Sequence, residues 1–345
     1  MIYSISNDED EIEKLLLKLR EKYGDYALIS YMAGEYGYMA RLYNGIIFQF
    51  YNIMKSNNIP CIAIIFKNNK CFVNNCTDHI VEIDDIEFAS TYKIPIEYEE
   101  LSSERIRKIS YGILNENSYN GNDGTHPVYV QGITSKKFEI LLNKLDFKNI
   151  FYSIHMDGSY FTNRFGCNGI ISNACKINNI LQPHQYTQKD ILQLIPNINK
   201  ESKQTKTNTI TIFIRNTNKS PMRNIPQEFY KYLFDYCILH NKICNVFQDL
   251  IPIELPNSEN IIDCTDRFKN RPNFDKFIEI CSKSDIYIGA NSGTSELVAY
   301  CKINIKMILI EGDHITWSPL VTKTNCVMCL FNDINKFKNI LEELI

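Results

Sequence analysis

The sequence predicts an α/β protein made of two Rossmann-like domains that face each other across a cleft. Three observations carry this expectation. The chain has 345 residues, a length that suits two domains of ordinary size. Strand-sized apolar runs alternate with amphipathic helical runs in both halves, the rhythm of parallel sheets covered by helices. A polar stretch without apolar periodicity, "NINKESKQTKTNT" at 197–209, separates the halves as a linker does. The expected domains are 1–196 and 208–332. A terminal helix follows over 333–345, with the first domain as one surface for it to pack back on.

In the first half, "DEDEIEKLLLKLREKY" reads as a charged amphipathic helix and "YALISYM" as a strand. "MARLYNGIIFQFYNIMKSNN" is a long helix with one apolar face, and "IPCIAIIF" is the next strand. The rhythm blurs between 70 and 125, where a hairpin or irregular insertion fits. It resumes with "HPVYVQGI", the helix "SKKFEILLNKL" and the strand "NIFYSIH". The polar-aromatic run "LQPHQYTQ" (181–188) reads as an interdomain crossover.

The second half is cleaner. "ITIFIR" is a strand, "PQEFYKYLFDYCILHN" a helix, and "KICNVF" and "ENIIDC" short strands. "RPNFDKFIEICSKS" is a helix with Pro272 at its entry, where a missing N–H costs nothing. "DIYIGA", "GTSELVAYCKI", "NIKMILIE" and "NCVMCLF" complete the alternation. The closing "NDINKFKNILEELI" is an amphipathic helix capped by Asn332 or Asp333.

Composition narrows the partners. With 37 basic and 40 acidic residues the formal net charge is −3, which gives no general attraction to nucleic acid or acidic membranes. No apolar run approaches a membrane span, and no export signal is visible, so a cytoplasmic location is expected, with peripheral membrane contact left open. The 12 cysteines lack framework spacing and read as thiols. "CFVNNC" and "CVMC" have no Cys or His partners at metal-site spacing. The sequence leaves the oligomeric state open. The dinucleotide fingerprint G-x-G-x-x-G is absent after each plausible first strand, and so is the P-loop pattern.

Four segments end at the expected ligand edge of the second sheet: "RNTNKSPMRN", "QDLIPIELPN", "TDRFKNRP" and "NSGTSE". Arg215 directly follows the alternating strand "TITIFI" and matches a phosphate by its planar fork. It reads either as that contact or as a solvated surface arginine. Asn291, Ser292, Gly293 and Thr294 are four small residues at a strand-to-helix turn. Backbone N–H groups and the helix dipole favour an anion there, although an ordinary cap needs none. Glu296, one turn in, either accepts hydroxyl groups or complements the dipole. Arg223 binds phosphate or pins its loop.

These residues carry a family likeness. "ITIFIRNTNKSPMRNIPQEFYKYLFDYC" and "FDKFIEICSKSDIYIGANSGTSELVAYCKI" resemble the C-terminal half of GT-B glycosyltransferases, nearest to the heptosyltransferase-like and fucosyltransferase-like groups. The likeness spans roughly 208–312. In those groups a basic residue after the first strand of this half contacts donor phosphate, and a "SD..IG..SG..ELA" stretch lines the nucleotide-sugar pocket. The resemblance implies the first role for Arg215 and the second for Ser292, Gly293 and Thr294, with Glu296 beside them. Two departures leave the donor's base and sugar open. Asn291 and Thr294 replace the Asp and the Pro or His common in heptosyltransferase-like chains, and Asn216 stands where fucosyltransferase-like chains carry a second arginine.

The resemblance implies that the first domain holds the acceptor. Glu35, in "AGEYGYMARLYNG" after a strand, is the first candidate general base; capping the following helix is its other reading. His155 and Asp157, in "IHMDGSY" after a later strand, are the other two. Each of them also reads as an ordinary strand-end side chain. Tyr160, Phe161 and Arg164 suit a sugar face or an acidic group. The expected function is a glycosyltransferase using a nucleotide-sugar donor and a glycan or other hydroxyl acceptor, inverting, with no permanently bound cofactor and no essential metal. A nucleotide-sugar epimerase or a non-catalytic sugar- or nucleotide-binding protein is the alternative.

Overall fold

The computed structural model describes residues 2–5, 9–30, 44–73, 76–83, 144–152, 171–177, 180–186, 207–216, 223–249, 251–265, 273–301, 305–312 and 326–344. They form two compact units. The first runs to residue 186 and takes in 273–274; the second comprises 207–265 and 275–344.

The first unit contains β1 (Ile2–Ile5), α1 (Glu9–Tyr23), β2 (Ala27–Ser30), α2 (Asn44–Ser56), β3 (Cys61–Phe66), β4 (His79–Ile83), β5 (Ile150–Tyr152), β6 (Ile171–Ile177) and β7 (Ile180–Tyr186). Its sheet runs β1-β4-β3-β2-β5-β6-β7. Neighbours are parallel from β1 through β5 and antiparallel from β5 to β7. Helix α1 forms because Ile12, Leu16 and Leu19 recur at helical spacing, and they pack on Leu28, Ile62, Ile64 and Val81. Gly24 ends α1 with φ +70, its N–H bonded to Arg20 O at 2.9 Å, the left-handed terminus that glycine tolerates best.

One expectation is corrected in this unit. Residues 181–186 of the supposed crossover lie in β7, with Pro183 opposite Ala174 and His184 opposite Asn173. The proline hid the strand, but β7 is last in its sheet, where a missing N–H breaks no ladder. The blurred region contributes β4 and a short 3-10 turn at Lys70–Phe72; 84–143 lie outside the described residues.

The second unit contains β8 (Thr209–Ile214), α3 (Gln227–Leu239), β9 (Ile243–Gln248), β10 (Ile261–Asp263), α4 (Phe274–Ser282), β11 (Ile286–Ala290), α5 (Gly293–Tyr300), β12 (Lys306–Glu311), β13 (Cys326–Leu330) and α6 (Ile334–Leu344). Its sheet runs β10-β9-β8-β11-β12-β13, and each pair is parallel. Counted along the chain this is the 3-2-1-4-5-6 order of doubly wound dinucleotide folds, which reverses between the first and fourth strands. Here that point lies between β8 and β11.

Strand alternation builds both layers of this unit. Ile210, Ile212 and Ile214 pack with Phe229, Leu233 and Cys237 of α3 and with Phe337 and Leu341 of α6. On the other face, Phe277 of α4 stands 6.1 Å from Phe213 and 4.9 Å from Phe247. Phe337 and Leu341 thus set α6 against this unit's own core, with Ile334 and Ile340 partly buried beside them. Its cap is Asp333, whose Oδ1 accepts the Lys336 N–H at 3.0 Å. Among the described residues no two cysteines are joined, and no helix is long and apolar enough to cross a membrane.

Candidate functional site

Strands β8 and β11 pair from Ile210↔Ile286 to Phe213↔Gly289. Two residues further along each strand, Arg215 and Asn291 leave the sheet from neighbouring carboxyl ends. Ligands of doubly wound folds bind in the crevice outside such ends.

Arg215 is buried, which removes its reading as a solvated surface arginine. Its Nη1 lies 3.9 Å from Asp249 Oδ2, and Asp249 is held by its N–H on Ile214 O at 3.1 Å. The Arg215 carbonyl accepts the Ile225 N–H at 3.2 Å and closes the loop after β8. Asn216 ties this loop to the one after β9: its Nδ2 donates to Ile251 O at 3.0 Å, and its own carbonyl accepts the Ile251 N–H at 3.2 Å.

Three neighbouring strand ends are laced together. The Arg223 guanidinium, from the loop after β8, donates to the Asn291 carbonyl beyond β11. Asn291 Nδ2 donates to Glu311 Oε1 at the end of β12, 2.9 Å away. Asn291 and Glu311 are both buried.

Ser292 precedes α5 with extended backbone, φ −146 and ψ 174, and its side chain does not cap the helix. The first intrahelical bond runs from Glu296 N–H to Ser292 O at 3.1 Å, so the N–H groups of Gly293, Thr294 and Ser295 precede it, the region that favours anions. Ser292 Oγ turns to Thr294 Oγ1 at 3.0 Å. Beneath them Tyr287, fully buried on β11, brings its hydroxyl 3.4 Å from Thr294 Oγ1 and 3.2 Å from Ser295 Oγ. Burial pushes that phenol far up, so it stays protonated. Gly289 makes room for it, since a Cβ there would stand 2.6 Å from the Tyr287 hydroxyl oxygen. Glu296 is buried at the same edge.

Arg215, Arg223, Asn291, Ser292, Gly293, Thr294 and Glu296 therefore gather at one sheet edge. Glu35, His155 and Asp157 lie outside the described residues, as do Tyr160, Phe161, Arg164, Lys219, Arg267 and Arg271. The segments that carry the three candidate bases follow β2 and β5, which are paired neighbours, Ser30↔Tyr152. Sequence reasoning missed Asp249, Tyr287 and Glu311. A charged residue closing the apolar run "NIKMILI" was the available signal for Glu311. A tyrosine two places before a strand glycine was the signal for Tyr287. Asp249 lay in a segment read only for its place.

Charge at this edge is mixed. Two arginines, Arg215 and Arg223, meet the carboxylates Asp249, Glu296 and Glu311. Such a mixture suits a ligand that has both phosphate oxygens and hydroxyl groups. Among the described residues no group of three or more His, Cys, Asp or Glu side chains is placed to hold a metal ion.

No family model matches the chain, and no curated protein does. Among solved structures it is similar to a glycosyl transferase of family 9 from Veillonella parvula, at 10% identity and TM-score 0.42, covering 93% of this chain and 90% of that one. It is similar to the E. coli ADP-heptose LPS heptosyltransferase II at 10% identity and TM-score 0.44, covering 92% and 98%. It is also similar to the E. coli heptosyltransferase WaaC with ADP at 10% identity and TM-score 0.39, covering 93% and 100%.

Proposed function

We propose that the chain is a glycosyltransferase that moves a sugar from a nucleotide-sugar donor to a hydroxyl of a glycan or other acceptor, inverting and without an essential metal. Residues 208–332 bind the donor and residues 1–196 the acceptor. The observation that carries this reading is the meeting of buried Arg215, at the end of β8, with the small-residue turn 291–294, at the end of neighbouring β11. A diphosphate matches an arginine fork beside a helix start.

In the proposed reaction the acceptor oxygen forms a bond to the anomeric carbon. The bond from that carbon to the diphosphate oxygen breaks, and its electron pair leaves with the nucleoside diphosphate. Arg215 and the first turn of α5 stabilise the leaving charge. Glu35, Asp157 or His155 takes the acceptor proton. Glu296 accepts hydrogen bonds from donor hydroxyls, and Arg223 holds the turn.

The test is a panel of nucleotide sugars, read first by thermal shift and then by release of free nucleoside diphosphate with added acceptors. Binding stabilises the folded state by mass action, so a donor is detected before its acceptor is known. Arg215→Ala is expected to weaken nucleoside diphosphate binding about 10- to 100-fold, the worth of one charge-assisted bond, and nucleoside binding little. Equal losses for both ligands mean damage to the fold. Product formed without acceptor favours an epimerase, and tight binding without turnover favours a binding protein.

A further inference from the structure

We infer, resting on the donor-site reading above, that Asp249 is a positioning residue that holds Arg215 in place while weakening its grip on phosphate, so that the site lets its diphosphate product go. The leaving group of the proposed reaction is an anion. Yet among the described residues carboxylates outnumber arginines at this edge, Asp249, Glu296 and Glu311 against Arg215 and Arg223. Asp249 is the carboxylate set against the arginine that this reading aims at phosphate. Its Oδ2 lies 3.9 Å from Arg215 Nη1, and the two side chains keep only 19% and 9% of their exposure. Water and salt therefore screen the pair little, and an approaching phosphate meets the arginine and its counter-charge together. At 3.9 Å the contact is an ion pair and not a hydrogen bond. It draws the guanidinium without closing on one of its N–H groups.

The fold keeps Asp249 there. Strands β8 and β9 pair in parallel up to Ile214↔Gln248, and Arg215 and Asp249 are the next residue on each. The Asp249 N–H donates to the Ile214 carbonyl at 3.1 Å. Asn216 holds both backbone groups of Ile251, at 3.2 and 3.0 Å. Gln248 is buried; its Oε1 accepts the Ile253 N–H at 2.6 Å, and its own backbone N–H donates to Thr265 Oγ1 at 2.9 Å. The chain on both sides of Asp249 is thus tied down, and the carboxylate stays beside Arg215 when a ligand arrives. Replacing it by an amide leaves a buried arginine short of negative charge, which destabilises the empty protein. A bound phosphate then supplies that charge, so binding tightens while stability falls. A residue that only shaped the site would act the other way, and its loss would weaken binding.

The experiment titrates inorganic pyrophosphate calorimetrically into the wild type, Asp249→Asn, Arg215→Ala and the double variant, with urea unfolding of each beside it. The asparagine keeps the shape and removes the charge. Asp249→Asn is expected to bind pyrophosphate about 2- to 10-fold more tightly than the wild type, the worth of one modest charge interaction, and to unfold at lower urea when empty. The gain is expected to fall away once Arg215→Ala is present, because it acts through that arginine. If Asp249→Asn is too unstable to titrate, a fixed excess of pyrophosphate is expected to raise its unfolding midpoint more than that of the wild type. Unchanged or weakened pyrophosphate binding in Asp249→Asn, or a gain that persists in full without Arg215, overturns the inference. A loss with nucleoside diphosphate beside unchanged pyrophosphate gives Asp249 to the ribose hydroxyls and overturns it as well. If Arg215→Ala still weakens pyrophosphate in those cases, the donor-site reading survives. A wild type that binds neither pyrophosphate nor any nucleoside diphosphate overturns both.

Discussion

Arg223 donates a hydrogen bond from its guanidinium to the backbone carbonyl of Asn291, across 68 positions of sequence. Asn291 in turn reaches Glu311, so one arginine in a loop and one carboxylate at a strand end hold the same turn from opposite sides. The turn that would receive phosphate is therefore fixed before ligand arrives, which lowers the ordering cost of binding.

Arg223→Ala should loosen that turn. Arg223 itself is exposed, so the stability loss is small, about 1 kcal/mol. Nucleoside diphosphate affinity should fall more than the unfolding midpoint suggests. Urea unfolding beside a diphosphate titration checks this, and an unaltered affinity would remove Arg223 from the site.

Gly289→Ala tests the close approach beneath α5. Overpacking of this kind costs about 1–3 kcal/mol. Adding Tyr287→Phe removes the nearest atom, the hydroxyl oxygen at 2.6 Å, while the ring carbon and Ser295 Oγ at 3.0 Å remain. The double variant should thus regain part of the loss in chemical unfolding. If it is no more stable than Gly289→Ala, the tyrosine hydroxyl is not what fills the space.

Much of this edge was legible in the sequence because its signals are local. "TITIFI" announces a strand by period two, and Arg215 ends it. "GANSGTSE" marks a strand-to-helix turn by small residues alone. Period could not reveal which strands are neighbours. That β8 lies beside β11, which brings Arg215 and Asn291 together, is a property of sheet order. Glu311 was equally hidden, since it is tied to the turn through an amide, and the backbone carbonyl that Arg223 reaches has no signature in sequence. In the first unit Pro183 masked β7, because edge strands tolerate what central strands reject. Asn332 and Asp333 both suited the cap of α6, and only geometry chose Asp333.

Phe337→Ala should unfold the second unit at markedly lower urea concentration. Phe337 is fully buried and its ring centroid lies 5.2 Å from that of Phe229. Phenylalanine-to-alanine changes in cores cost about 3–5 kcal/mol. Loss of less than about 1 kcal/mol would mean that α6 is dispensable for this core.

His79 should report acid destabilisation of the first unit. Its ring lies 4.6 Å from that of Tyr23. Burial holds the imidazole below its ordinary value of 6.5, although neighbouring Asp78 pulls the other way. The unfolded chain therefore binds the proton first as pH falls. His79's contribution is complete above 6.5 and is lost as pH drops from 6.5 through the lower folded value. NMR titration should give a midpoint under 6.5, and His79→Gln should flatten the fall of the unfolding midpoint on that side. A midpoint at or above 6.5 sinks the expectation.

The catalytic base is the remaining proposal, and the sheet of the first unit narrows where to look. Strands β2 and β5 are paired neighbours, Leu28↔Ile150 to Ser30↔Tyr152, and the segments bearing Glu35 and bearing His155 and Asp157 follow their carboxyl ends. In a doubly wound sheet, neighbouring ends of this kind are where side chains converge on a ligand. Glu35→Gln, Asp157→Asn and His155→Gln each remove a proton acceptor with little change of shape. Loss of the true base should lower turnover about 10²–10⁴-fold while the affinity for nucleoside diphosphate holds, because the proposed donor site is built from the other unit. The expected order of effect is Glu35, then Asp157, then His155. The assay is product formation under saturating donor, with diphosphate titration of each variant beside it. Near-normal turnover in all three would place the base elsewhere. A parallel fall in diphosphate affinity would mean that the residue serves binding rather than proton transfer.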